Sequence, residues 1–308
     1  MNQIEHGTPR IYAVGETVFD IIFKDFHPQA AKPGGSAFNA MITLGRLGVP
    51  GSFISEVGND KVGNYIRHFL KDNGIDNEYV VMFEDGKSAL ALAFLNESSD
   101  AEYDFYKDYP SQRLDEEMPH FNPDDYFLFG SFYGLNPVLR PQITGLLKSA
   151  GESGSLIYYD PNFRANHMAS LDELRKIIEE NFRASTIIRA SDEDMKNIYG
   201  TESAEEAWEK ISRHAKYFIY TANAHGVDLF APGIRLHFDV ERIEPVSTVG
   251  AGDTFNAGIL YGLYTRKITK RNIIEVTSQE WKKLLEAAAG FSREVCLSYE
   301  NYIAKRSS

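Results

Sequence analysis

The chain has 308 residues, 43% apolar and 25% charged, with a formal charge of −12 and a pI near 5.2. This composition suffices for one large α/β domain and excludes a disordered chain, and the acidic balance argues against nucleic acid as a partner, because phosphate backbones need clustered Lys and Arg. One cysteine, Cys296, excludes an internal disulfide and a Cys/His zinc set, and it points to a reducing compartment.

The first ten residues are polar and include Pro9. Neither a signal peptide nor an apolar run of about eighteen residues occurs, so a cytoplasmic protein without a membrane partner is expected. Apolar runs then alternate with helical patterns: a strand at Ile11–Val14, a helix at Ser36–Leu47, a strand at Ser52–Val57 and a helix at Val62–Lys71. The order resumes with a strand at Tyr126–Phe129, a helix at Val138–Ser149, a strand at Leu156–Tyr159, a helix at Leu171–Glu180 and a strand at Thr186–Ile188. Right-handed crossovers between such units predict a mostly parallel sheet with helices on both faces.

Two aromatic-rich stretches, Thr17–Phe23 and Ser88–Tyr106, break the rhythm and read as a small β flap, with Pro33-Gly34-Gly35 as the return hinge. The lid so predicted covers about residues 16–34 and 86–110 of a single unit spanning 1–308. It is placed to close over a crevice at the strand ends and exclude water.

The most informative segment is Val249-Gly250-Ala251-Gly252-Asp253, followed by an apolar helix in which Phe255, Ile259 and Leu263 recur every four positions. The first-turn N–H groups of a helix lack partners and carry the positive dipole end, and Gly250 and Gly252 let an anion approach the backbone. Asp253 then either caps the helix or takes a proton. The segment is neither of the common nucleotide motifs: no Gly-Lys-Ser/Thr follows Gly252, and Phe255 stands where a Gly-x-Gly-x-x-Gly fingerprint needs its third glycine.

Further marks stand in order along the chain: Gly15-Glu16 with Asp20; Gly34-Gly35-Ser36-Ala37-Phe38-Asn39; Gly58-Asn59-Asp60 with Gly63; Asp160-Pro161-Asn162-Phe163-Arg164; Ser191 to Asp194; and Thr221 to Gly226. Together with the Gly250–Asp253 segment they resemble the signatures of the ribokinase-like (PfkB) family of sugar and nucleoside kinases over nearly the whole chain.

The resemblance implies a ribokinase-like α/β/α sandwich with a β-sheet lid and an ATP-dependent sugar kinase using Mg²⁺. It implies Asp253 as base and Gly250, Ala251 and Gly252 as anion hole, with Arg164 near the transferring group. Asp20, Gly34, Gly35, Asn39 and Phe105 are expected at the sugar; Ser191, Thr221, Asn223, Gly226, Gly250 and Gly252 at the nucleotide; and Asp194 at the metal through a water. A homodimer through the lid strands is also implied. Phe94, Tyr103, Phe105 and Tyr106 face either the pocket or that dimer contact.

Three positions depart from the family pattern: Asp194 replaces a Glu, Asn223 replaces a Gly, and Ser247 stands where many members carry an Asp of a monovalent cation site. Potassium dependence is therefore left open. The branch most similar is the fructokinases, giving fructose 6-phosphate. 2-Keto-3-deoxygluconate kinase is the nearest alternative, ahead of ribokinase and nucleoside kinases, and a sugar-binding sensor without turnover is a reading of another class.

Overall fold

The computed structural model describes residues 8–95 and 101–305. The tip of the expected flap, residues 96–100, lies outside them.

The chain opens with β1 (Ile11–Val14), leaves for the lid as β2 (Val18–Lys24) and β3 (His27–Gly34), and returns as α1 (Ser36–Arg46), β4 (Gly51–Gly58) and α2 (Lys61–Asp72). Two short strands, β5 (Ile75–Asp76) and β6 (Val80–Phe83), precede the second lid pair, β7 (Lys87–Leu95) and β8 (Ala101–Asp108). The main body continues with β9 (Tyr126–Gly130), α3 (Arg140–Ser153), β10 (Leu156–Asp160), α4 (Leu171–Ala184), β11 (Ile187–Ser191) and α5 (Asp192–Tyr199). It closes with α6 (Ala204–Ile211), β12 (Tyr217–Thr221), β13 (Val227–Ala231), β14 (Ile234–Phe238), α7 (Ala251–Thr265) and α8 (Ser278–Cys296).

The large sheet runs β14-β13-β12-β11-β10-β9-β1-β4-β5, with β6 also on β4, and only the pairs β12–β13 and β13–β14 are antiparallel. Its strands are near-continuous apolar runs, as burial on both faces requires. One face is covered by α1, α2, α7 and α8 through Phe38, Ile66, Ile259 and Trp281, the other by α3 to α6 through Ile143, Phe182, Met195 and Ile211. This is the expected ribokinase-like α/β arrangement. In α7 the stripe Phe255, Ile259 and Leu263 is buried, worth about 1.5–3 kcal/mol per side chain. Gly258 lets α8 approach so closely that a Cβ there would lie 2.4 Å from Ala288 Cα.

The lid is a separate four-stranded sheet, β3-β2-β7-β8. Its second joint to the main body accounts for Gly58-Asn59-Asp60: Asp60 Oδ1 accepts from Gly63 N and Oδ2 from Ser88 N, both at 2.8 Å, tying β7 to the start of α2. A Cβ on Gly58 would come within 2.7 Å of Ser88 N and one on Gly63 within 2.9 Å of Ser88 Oγ, so both glycines keep this joint tight.

Candidate active site

The carboxyl ends of the parallel strands open under the lid, where a doubly covered sheet ordinarily receives its ligands. At that edge Gly250 takes left-handed angles, φ 79°, and caps α7, whose first turn holds Asp253. The turn presents N–H groups at a cleft and places the carboxylate beside them.

Asp253 Oδ2 accepts from Asn39 Nδ2 at 2.8 Å, and the Ser36 side chain also bonds to this carboxylate. Burial pushes the Asp253 carboxyl up to about 6, against the opposing pull of Asn39, Ser36 and Arg164. The group is therefore ionised at neutral pH yet close enough to neutrality to accept a proton. Asn39 is 4% exposed, and its Oδ1 has no hydrogen-bond partner among the described residues. A buried acceptor left open in a cleft suits a ligand hydroxyl.

Asp20 comes to the same cleft from the lid. Register places Asp20, Ala91 and Phe105 side by side across β2, β7 and β8, with Tyr103 two residues from Phe105 on the same face. Tyr103 and Phe105 stack at 5.8 Å, and the Tyr103 hydroxyl feels Asp20, Arg164 and Asp253, so this face looks into the cleft. Phe94 and Tyr106 alternate onto the outer face. Burial raises the Asp20 carboxyl to about 7, while Lys32, directly opposite on β3, pulls it down. Gly34 admits this carboxylate, since a Cβ there would lie 2.1 Å from Asp20 Oδ2; Gly35, at φ 128°, passes 2.3 Å from Glu16 O by the same measure.

The residues expected at the nucleotide lie at the neighbouring strand ends. Thr221 closes β12, Asn223 adopts left-handed angles at φ 46°, and Gly226, at φ 99°, leads into β13. Thr221 Oγ1 is already engaged by Arg189 Nη2 at 2.6 Å. Ser191 and Asp194 form a capping box on α5, in which Asp194 Oδ2 accepts from Ser191 N and Oγ, while Oδ1 accepts from Phe163 N at 2.5 Å. Arg164 is exposed at the rim, yet its charge acts on both Asp253 and Tyr103.

Sequence reasoning missed Arg189, Lys32 and Asn256. Arg189 and Asn256 sit within a strand and a helix whose pattern signals only burial, Lys32 sits in a strand without apolar alternation, and each is singled out only by its partner: Asp160 for Arg189 and Asn256, Asp20 for Lys32.

An anion-ready helix start, a carboxylate of raised pKa beside it and a small sheet with its own polar face are the features that a phosphoryl-transfer site requires. The chain belongs to the pfkB family of carbohydrate kinases, whose profile matches residues 9–303. It is similar to fructokinase-1 of Oryza sativa subsp. japonica, 28% identical over 264 residues covering 83% of this chain and 78% of that one. It is similar also to aminoimidazole riboside kinase of Salmonella typhimurium (strain LT2), 26% identical over 262 residues, 82% and 81% of the two chains. Among solved structures, fructokinase from Vibrio cholerae O395 in its fructose, ADP and calcium ion bound form superposes with a TM-score of 0.81 at 20% identity, over 96% of this chain and 94% of that one.

Proposed function

We propose that this carbohydrate kinase transfers the γ-phosphoryl group of ATP to a primary hydroxyl of a small sugar, with fructose to fructose 6-phosphate as first choice. The observation that carries the reading is the Asn39–Asp253 contact at the start of α7, which aims an ionised base at a cleft that also holds an open hydroxyl acceptor. The sugar oxygen forms its bond to the γ-phosphorus as the bond to the β–γ bridging oxygen breaks, ADP leaves, and the hydroxyl proton passes to Asp253. Because the transition state is loose, the proton moves late, and a carboxylate suffices as base. Gly250, Ala251 and Gly252 offer backbone N–H groups to the equatorial oxygens, with Ala251 N first releasing the Thr248 carbonyl to which it donates at 3.3 Å. Asp20 and Asn39 take sugar hydroxyls, Phe105 and Tyr103 cover the sugar face, and Arg164 meets anionic oxygen at the rim. Thr221, Asn223 and Gly226 carry the nucleotide with Ser191.

Among the described residues no group of three or more His, Cys, Asp or Glu gathers as a ready metal cage. Mg²⁺ would be held mainly by phosphate oxygens and water, with Asp194, whose oxygens are engaged by Ser191 and Phe163 N, reaching it through a water. Bound there, the ion would neutralise charge on the β- and γ-phosphates. Ser247 Oγ accepts from Val249 N within its own loop at 3.2 Å, and no potassium role is assigned to it.

The outer lid face supports a homodimer. Phe19, Ile21, Phe23, Leu90, Leu92 and Phe94 share it and are only partly buried, Tyr106 is 58% exposed, and Phe26, in the turn between β2 and β3, is 85% exposed. Light scattering of the purified chain tests this, and a monomer at micromolar concentration removes it. No helix among the described residues is long and apolar enough to cross a membrane. Cys296 is free, in keeping with a cytoplasmic location.

A coupled ADP-release assay with fructose, 2-keto-3-deoxygluconate, ribose and adenosine tests the function. Fructose should give the highest kcat/KM. A preference for 2-keto-3-deoxygluconate would reassign the substrate and give Arg164 its carboxylate, whereas sugar binding with no ADP release under any sugar would leave a sensor.

A further inference from the structure

Behind the anion-hole glycines lies a buried cation. Arg189 stands in β11 between the fully buried Ile188 and Ala190 and is itself 8% exposed. Its Nη1 donates to Asp160 Oδ2 at 3.1 Å and its Nη2 to Thr221 Oγ1 at 2.6 Å, while the buried Nε finds no partner among the described residues. Seen from Gly252, the guanidinium is the nearest neighbour: a Cβ there would lie 3.1 Å from Nη1, 3.4 Å from Nη2 and 3.6 Å from Cζ. One fork thus touches the strand end that holds Asp160, the strand end that opens the nucleotide loop and the second glycine of the anion hole.

A buried guanidinium is costly, and an apolar side chain would serve a central strand better unless the charge has a use. Neutralising Asp160 alone would leave the reach to Thr221 and Gly252 unexplained. Asp160 is moreover held already by Asn256 Nδ2 at 2.5 Å and by Asn162 N at 3.1 Å. Glycine at 252 is what lets the cation stand directly behind the backbone that receives the phosphoryl oxygens.

Resting on the proposed kinase reaction, we infer that Arg189 is a positioning residue for phosphoryl transfer, locking Gly252 and Thr221 in register and lending positive charge to the anion hole from behind. Its interaction grows with the charge on the terminal phosphate, so it acts on ATP and the transition state more than on ADP or the sugar.

The test compares wild type, R189M, R189K, D160N and the R189M/D160N double variant in steady-state kinetics, thermal melts and calorimetry with ADP and a β,γ-imido ATP analogue. R189M should lose about 10²-fold in kcat, the scale of one oxyanion donor, with sugar KM within about threefold. Its affinity for the imido analogue should fall about tenfold or more while ADP binding holds within about threefold. R189K, which keeps the charge without the fork, should fall between. The double variant should regain melting temperature but not turnover. Recovery of kcat in the double variant, or equal losses for analogue and ADP, would reduce Arg189 to a structural ion pair. Should R189M not fold, R189K decides: wild-type kcat with unchanged analogue affinity overturns the inference. If wild type shows no sugar-dependent ADP release the kinase reading fails, while the comparison of analogue with ADP still judges Arg189.

Discussion

Asn39 Nδ2 donates to Asp253 Oδ2 at 2.8 Å, joining the N-terminal turn of one helix to that of another 214 residues later in the chain. In the proposed reaction one amide would orient the base and, through its open Oδ1, take hold of the sugar, so that substrate position and proton acceptance would depend on the same side chain.

Asp253→Asn should fold and lose roughly 10²- to 10⁴-fold in kcat, the range of a general base. It should also melt higher at pH 8. Burial raises this carboxyl to about 6, so between about 4 and 6 the folded wild type binds more protons than the unfolded chain and loses stability as pH rises. The variant's advantage should grow across that interval and level off above it. Turnover near wild type would show that the base lies elsewhere.

Asp20→Ala should raise sugar KM far more than ATP KM, because Asp20 reaches the cleft from the lid, away from the nucleotide residues. Lys32→Met should act the same way more mildly at neutral pH. Burial raises the Asp20 carboxyl to about 7 even against the opposing pull of Lys32, and without that charge more of it is protonated. Equal changes in both KM values would take Asp20 out of the sugar site.

The free enzyme's kcat/KM should fall on the acid side through two ionisations, Asp20 at about 7 and Asp253 at about 6. Both carboxylates work ionised, so activity declines as pH drops and steepens toward two decades per unit below about 6. In Asn39→Ala, loss of the donor that favours ionised Asp253 should move the lower step to higher pH. A limb of slope one that stays fixed in that variant contradicts the assignment.

Gly250→Ala should harm more than Gly252→Ala. At Gly250 the left-handed backbone and the Asn301 carbonyl, 2.4 Å from an added Cβ, both oppose a side chain, at a cost of about 1–2 kcal/mol for the backbone alone. At Gly252 the backbone is not left-handed and the nearest neighbour, the Arg189 guanidinium, lies 3.1 Å from an added Cβ, so the clash is milder. Thermal melts and kcat should rank the two in that order, and a reversed ranking would show that the C-terminal segment is free to move.

Local pattern determined the alternation of strands and helices, the mostly parallel sheet and the glycine-acid helix start, because burial on both faces writes continuous apolar runs and helix termini write glycines and acids. Element ends drifted where caps decided them: α3 runs to Ser153, stopped by the left-handed Gly154, and α4 continues to Ala184. The strand His27–Gly34 lacks the apolar alternation of a half-buried strand, since five of its residues are exposed. It exists because β2 offers it an edge. Only tertiary structure decided that Asn39 meets Asp253, that Lys32 faces Asp20 and that Arg189 stands behind Gly252. Two of these join segments far apart in sequence and the third crosses the adjacent β2–β3 pair, and the charge or amide that makes them is, in one dimension, indistinguishable from any other polar residue in a helix or strand.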